Sequence, residues 1–174
     1  MVTGPTGPRA VVIGPPGAGK STVGRRLAEA LGADFRDTDE AIERAQGRSI
    51  SDIFVVEGDR YFRDLERAEV ARALGECAGV VALGGGAPMD PDTQASLAGQ
   101  AVVFLDVGIA DASRRIGFDG SRPLLLVNPR AQWTKMMNER RPTYERLAAL
   151  RVDTAGRQPD AVVAEIVAWL EEQG

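Results

Sequence analysis

The sequence predicts an α/β domain built around a parallel sheet, and two observations carry the prediction. Short runs rich in valine and isoleucine recur along the chain, separated by segments with apolar residues at helical spacing. The first of these runs passes through a glycine-rich turn directly into a helix, the strand, loop, helix order of a parallel unit. Taken in order, residues 10–13 form the first strand and stop at Gly14; four apolar residues without alternation suit a strand buried on both faces. Residues 21–31 follow as a helix, with Val23, Leu27, Ala28, Ala30 and Leu31 largely on one face and Gly32 as the stop. Residues 35–38 read as the end of a second strand, and 40–45 as a helix closed by Gly47. Ser51 reads as a further helix start, and a longer helix runs over 59–74 with Phe62, Leu65, Ala68 and Ala73 near helical spacing. Residues 79–83 are a third strand running into Gly84-Gly85-Gly86, 101–107 a fourth and 150–153 a fifth. Residues 160–172 close the chain as an amphipathic helix carrying Val163, Ile166, Val167 and Leu170.

At 174 residues the chain has the length of one domain. Residues 1–9 are expected to be a flexible leader and 10–174 a single domain. Residues 117–130 interrupt the rhythm with two glycines, two prolines, Arg122 and a run of leucines; a mobile lid is expected there, with a binding loop or plain disorder as alternatives. Hydrophobic residues make up 44% and charged residues 26%, which excludes a disordered or fibrous chain. The apolar runs are far shorter than a membrane span, and the N-terminus lacks the pattern of a secretory signal, so no membrane association is expected. The single cysteine, Cys77, cannot form an internal disulfide, and a reducing cytoplasm is the expected compartment. With no histidine, Cys/His zinc sites and Ser-His or Cys-His nucleophilic catalysis are excluded. A net charge of −4 disfavours a nucleic-acid partner.

Residues 14–21, Gly-Pro-Pro-Gly-Ala-Gly-Lys-Ser, satisfy the GxxxxGK[ST] pattern between an apolar strand and a helix. Glycines let the backbone curl so that successive N–H groups point at phosphate oxygens, and the helix N-terminus adds favourable potential. Lys20 should reach the β- and γ-phosphates and Ser21 should offer its hydroxyl to Mg²⁺. The only other lysine is Lys135, and neither stands in the Asn-Lys-x-Asp element by which GTPases read guanine. Asp106, after the fourth strand, could act as a hydrolytic base but reads better as a helix cap. The short chain favours a kinase acting on a small metabolite.

On the acceptor side, Asp37-Thr38-Asp39 places two carboxylates two residues apart, on one side of an extended segment. One could serve Mg²⁺ through water and the other accept a hydrogen bond from an attacking hydroxyl; equally, either could cap the helix that follows. Arg63 has Glu66 one turn later to hold its guanidinium, giving either an oriented carboxylate grip or a solvated surface pair. Gly84-Gly85-Gly86 could let a ligand lie against bare backbone at the carboxyl end of a strand, or be a flexible turn.

These elements, in order, are Gly-x-x-Gly-x-Gly-Lys-Ser-Thr at 14–22, Asp-Thr-Asp at 37–39, Gly-Arg-Ser-Ile-x-Asp-Ile-Phe at 47–54 and Phe-Arg-x-x-Glu at 62–66. Gly-Gly-Gly at 84–86, Arg-Pro-Leu-Leu at 122–125 and Arg-x-Pro-x-Tyr at 140–144 follow. Over nearly the whole chain the set closely resembles shikimate kinase. The resemblance implies a nucleoside-monophosphate-kinase-like three-layer fold, a five-stranded parallel sheet flanked by helices, and transfer of the ATP γ-phosphoryl group to the 3-hydroxyl of shikimate. It implies that Gly14, Gly17, Ala18, Gly19, Lys20, Ser21 and Thr22 bind the ATP phosphates, and that Arg115, Arg157 and Pro159 flank adenine. Arg122 would swing from the lid onto the phosphates. Asp39 would bind and position the acceptor hydroxyl, Asp37 would join Ser21 in the magnesium shell, and Arg63 and Arg140 would clamp the shikimate carboxylate beside Gly84, Gly85 and Gly86. Lys20, Asp39 and Arg122 are thus the expected catalytic residues. Thr143 stands where the family usually has leucine, and Arg141 puts a second arginine beside Arg140; Arg140, two residues before the proline, is the expected substrate ligand. Trp133 has an anchoring or core role by default. The expected substrates are ATP and shikimate, with Mg²⁺, acting on a monomer; a small kinase for gluconate or a nucleoside monophosphate is the rival reading.

Overall fold

Each apolar run becomes a parallel strand, and their order across the sheet creates the cleft. The computed structural model describes residues 7–117 and 128–174. Strands β1 (Ala10–Ile13), β2 (Phe35–Asp37), β3 (Val80–Ala82), β4 (Val102–Asp106) and β5 (Leu150–Asp153) form one sheet in the order β2-β3-β1-β4-β5. All the pairings are parallel, with Val11 opposite both Val81 and Val102, and Phe104 opposite Arg151. Strands β1, β3 and β4 are buried along their whole length, as expected for a sheet covered on both sides. From β1 the chain passes first to the β3 and β2 side and later to β4 and β5 on the other. The carboxyl end of β1 therefore lies at a topological switch point, where such sheets open a crevice.

Helix α1 (Lys20–Leu31) packs on β3 and against α8 (Pro159–Gln173). Helices α2 (Thr38–Gln46), α3 (Ile50–Glu57) and α4 (Asp59–Glu76) gather around a small core of their own, Ile42, Ile53 and Phe62, set apart from the main core on the sheet. A 3₁₀ turn (Ala87–Met89), α5 (Pro91–Leu97), α6 (Ile109–Ile116) and α7 (Pro129–Leu147) complete the described residues.

The five strands fall within a residue or so of their expected places, and the sheet flanked by helices is the expected architecture. The helices depart more. The helix expected over 40–45 begins at Thr38, because the Asp37 carboxylate accepts the Glu40 N–H and caps it there. Helix α3 starts before Ser51: its cap is Ser49, whose Oγ accepts the Asp52 N–H at 3.1 Å. The sequence pattern predicts no helix at α5, α6 or α7. Helix α7 buries only Trp133, Met137 and Tyr144 among its 19 residues and runs through Pro142, so its apolar stripe is thin and carries a breaker signal. Within 117–130, residues 118–127, including Arg122, lie outside the described residues, as do residues 1–6 of the expected leader.

Candidate active site

The loop after β1 is shaped by glycines in backbone conformations that other residues rarely adopt. Gly14, Gly17 and Gly19 have φ of 152°, 86° and 86°. A β-carbon on Gly14 would stand 2.6 Å from the Leu105 carbonyl oxygen, and one on Gly17 2.9 Å from Ala112 Cα. Three consecutive carbonyls of the loop accept hydrogen bonds from side chains: Pro15 from Lys20 Nζ at 3.0 Å, Pro16 from Trp133 Nε1 at 2.9 Å and Gly17 from Arg115 Nη1 at 3.2 Å. A glycine-shaped turn leading into the start of α1 is the arrangement in which backbone N–H groups can face an anion. Lys20 is the first residue of that helix, and Ser21 follows it. The Ser21 hydroxyl donates to the Asp37 carboxylate.

A cleft of about 870 Å³ opens from this loop, lined by Lys20, Ser21, Asp37, Asp39, Gly85 and Arg115 and, at its far end, by Thr154, Arg157 and Pro159. Arg115 lines the cleft while tied to backbone: besides Gly17 it reaches the Thr154 carbonyl at 2.9 Å and Thr154 Oγ1 at 3.1 Å. Arg157 donates to the Asp153 carbonyl at 3.0 Å and pairs with Glu165 at 3.1 Å, which fixes the loop between β5 and α8.

Opposite the phosphate loop the three glycines after β3 each face a different polar side chain. A β-carbon at 84 would lie 2.5 Å from Asp39 Oδ1, one at 85 3.1 Å from Arg140 Nη1, and one at 86 2.6 Å from Arg63 Nη1. Bare backbone is what lets these groups approach. Thr38, fully buried, ties the strand end to the helix by accepting the Gly84 N–H at 3.3 Å and donating to the Ala82 carbonyl at 3.4 Å. Tyr144, also fully buried, donates to the Gly85 carbonyl at 2.6 Å. Arg63 Nη1 meets the buried Glu66 at 2.6 Å.

The electrostatics are those of a site awaiting a polar ligand. Asp39 Oδ1 is buried with no hydrogen-bond partner. Burial, with the nearby charges of Asp37 and Glu66, pushes the Asp39 carboxyl up to about 7, against the pull of Lys20. Burial likewise raises the Glu66 carboxyl, against the guanidinium groups of Arg63 and Arg140.

The structure brings together at one edge of the sheet every described residue expected from the sequence, but three positions differ in detail. Asp37 and Asp39 do not share a face of an extended strand; Asp37 ends β2 and caps α2, and Asp39 sits in the first turn of that helix. Asp37 both caps the helix and meets Ser21, so the two readings of it hold together. Asp106 is not a helix cap: Gly108 precedes α6 without a side-chain cap, and the Asp106 carboxylate is held by Arg141 at 2.8 and 3.1 Å and by Arg151 at 2.6 Å. That grip turns Arg141 towards β4 and leaves Arg140 facing Gly85. The sequence gives neither Trp133 nor Tyr144 a part in the site; Tyr144 closes the Arg-x-Pro-x-Tyr motif at 140–144, whereas Trp133 has no signal beyond an aromatic in a stretch whose helical period is weak.

Donor loop and acceptor pocket sit on either side of the switch point, and together they define the class, a P-loop kinase of a small molecule. The family model for shikimate kinase matches residues 16–171. The chain is 55% identical over 161 residues to the shikimate kinase of Thermobifida fusca, covering 92% of this chain and 93% of that protein. It is 54% identical over 155 residues to that of Streptomyces coelicolor, covering 89% and 91%. Among solved structures, a shikimate kinase from Acinetobacter baumannii in complex with shikimate superimposes with a TM-score of 0.91 at 34% identity, covering 97% of this chain and 95% of that one. A gluconokinase from Sinorhizobium meliloti reaches a TM-score of 0.57 at 20% identity, a likeness of fold alone. The chain belongs to the shikimate kinase family.

Proposed function

We propose that the protein transfers the γ-phosphoryl group of ATP to the 3-hydroxyl of shikimate, producing shikimate 3-phosphate on the route to chorismate and the aromatic amino acids. The observation that carries the reading is the wall of Gly84, Gly85 and Gly86 faced by Asp39, Arg140 and Arg63, with one Asp39 oxygen unpartnered. Two guanidinium groups suit a carboxylate, and a buried carboxylate suits a hydroxyl that must lose its proton as it attacks. Asp39 aligns the alcohol and takes up its proton. Lys20 spreads the charge that develops on the transferring group, the larger effect in a reaction governed by alignment and electrostatics.

The loop at 14–22 holds the phosphates of ATP, and Arg115, Arg157 and Pro159 bound the space left for adenine. Mg²⁺ fits the donor set: a hydroxyl and a carboxylate meet at Ser21 and Asp37, hard oxygen ligands that leave room for phosphate oxygens and water. Among the described residues no cluster of three acidic, cysteine or histidine side chains offers a cage for a metal, which accords with an ion held in part by its nucleotide. When bound, the ion would neutralise charge on the β- and γ-phosphates. Arg122, which lies outside the described residues, would add a further cation at the phosphates. A cytoplasmic monomer completes the reading: one buried thiol, Cys77, suits a reducing compartment, and the sequence has no long apolar segment without a place in the core. Among the described residues no helix is long and apolar enough to cross a membrane.

The test is ADP release by purified protein with ATP and Mg²⁺, offered shikimate, gluconate or AMP. Release is expected with shikimate; faster turnover with either rival would overturn the assignment. Asp39→Asn should lower kcat by at least about 100-fold, and unchanged turnover at saturating substrates would remove Asp39 from the mechanism.

A further inference from the structure

Four residues of α7 share one stripe. At 100° per residue, Trp133, Met137, Arg140 and Tyr144 fall within about 60° of one another. At one end of the stripe, the Trp133 indole N–H donates to the Pro16 carbonyl of the phosphate loop at 2.9 Å. At the other, roughly 16 Å along the axis, the Tyr144 hydroxyl donates to the Gly85 carbonyl of the acceptor wall at 2.6 Å. Both rings are buried, as is Met137 between them. The two loops also meet directly, since a β-carbon at 85 would lie 3.3 Å from Pro16 Cδ. Arg140 occupies the same stripe and faces Gly85. The helix itself is fixed to the sheet by the two-pronged contact of Arg141 with Asp106.

We propose that Trp133 is a positioning residue for phosphoryl transfer: its N–H holds the phosphate loop in register with the acceptor groups carried on the same helix. Pro15 and Pro16 have no N–H of their own to anchor this part of the loop, so its placement depends on what its carbonyls accept. A rigid helix bonded to both loops fixes the separation between the donor phosphate and the acceptor hydroxyl, the quantity on which an in-line displacement depends. The proposal rests on the reading of residues 14–22 as the ATP phosphate site and adds to it a part played by a side chain outside the motif.

The test is the steady-state kinetics of two variants that lose the donor. Trp133→Phe removes the N–H and part of the ring; replacing the indole of residue 133 by benzothiophene removes the N–H and keeps the shape, which preserves the test if the phenylalanine variant does not fold. The benzothiophene protein is expected to unfold at nearly the wild-type temperature and to lower kcat per folded active site roughly fivefold, the loss of about one buried hydrogen bond, with KM for shikimate at saturating ATP unchanged. A purely structural role predicts instead a fall in the active fraction with kcat per active site intact, and that result overturns the proposal. Wild-type protein in the same assay keeps the two readings apart. Failure to release ADP on adding shikimate sinks the function, whereas normal wild-type turnover with an unmoved variant sinks only the role of Trp133.

Discussion

Asp39 is kept where its charge is expensive. Its carboxyl is buried beside Asp37 and Glu66, one oxygen has no partner, and its folded-state value of about 7 stands well above that of an unfolded aspartate. Between those two values the native state binds the extra proton, so this residue's contribution to stability falls as pH climbs through the window and its full cost is present above it. Asp39→Asn is therefore expected to raise the melting temperature of the ligand-free protein at pH 8 by several degrees, and by much less at pH 4; equal shifts at the two values would show that the cost is not electrostatic. A variant that is more stable and nearly inactive is the mark of a group placed for chemistry rather than for folding. The glycine facing it gives a second prediction. Gly84→Ala puts a methyl group 2.5 Å from Asp39 Oδ1, so the carboxylate must move. KM for shikimate should rise by about tenfold or more, the cost of misplacing one charged hydrogen bond, with KM for ATP unchanged; equal rises in both would place the damage in the fold. Most of this chemistry was legible in the residues themselves, because GxxxxGKS, the acidic pair and the glycine run are local patterns. The unpartnered oxygen and the one-to-one facing of glycines and polar groups were not, since they arise only when β3, α2, α4 and α7 meet.

Secondary-structure elements were readable where burial is one-sided or complete, and unreadable where polar contacts replace it. Strands β1, β3 and β4 announced themselves as apolar runs; α7 did not, since arginines occupy positions that a core helix would fill with leucine. What fastens α7 to the sheet is charge: Arg141 from the helix and Arg151 from β5 converge on Asp106 at the end of β4. Burial raises that carboxyl, and the hydrogen bonds and charges of the two arginines more than offset it, leaving it below the usual aspartate range. The stabilisation is present above the unfolded-state value and is lost as pH falls through the lower folded one. Asp106→Asn should cost about 2 kcal/mol at pH 7, a central figure for hydrogen bonds to a charged group. The penalty should shrink in acid, as denaturant unfolding at the two pH values would show; a penalty that did not change with pH would mean packing, not charge, joins these elements.

Across the whole molecule the ligand-facing groups come from the carboxyl edge of one sheet, and the strand order divides them. Groups proposed for the nucleotide follow β1, β4 and β5, whereas those proposed for the acceptor follow β2 and β3, with Arg140 added from α7. Hydrogen exchange should reflect that division: ADP is expected to slow exchange at 14–21 and 154–158, and shikimate at 38–42 and 84–86. If shikimate alone protected 154–158, the two halves would not be separate sites. The strand order itself was beyond the sequence, because nothing local says which strand lies beside which; length and alternation limit the choice, and the resemblance to a known family implied five parallel strands without their order. The wall at 84–86 has a further bearing on medicinal chemistry. A compound that rests on the main chain there touches atoms no codon change can alter, and the positions behind them admit nothing bulkier than hydrogen without disturbing Asp39, Arg140 or Arg63. A substitution there that weakened such a compound would also shift a side chain of the candidate acceptor pocket, which makes that strip of peptide a costly place for resistance to arise.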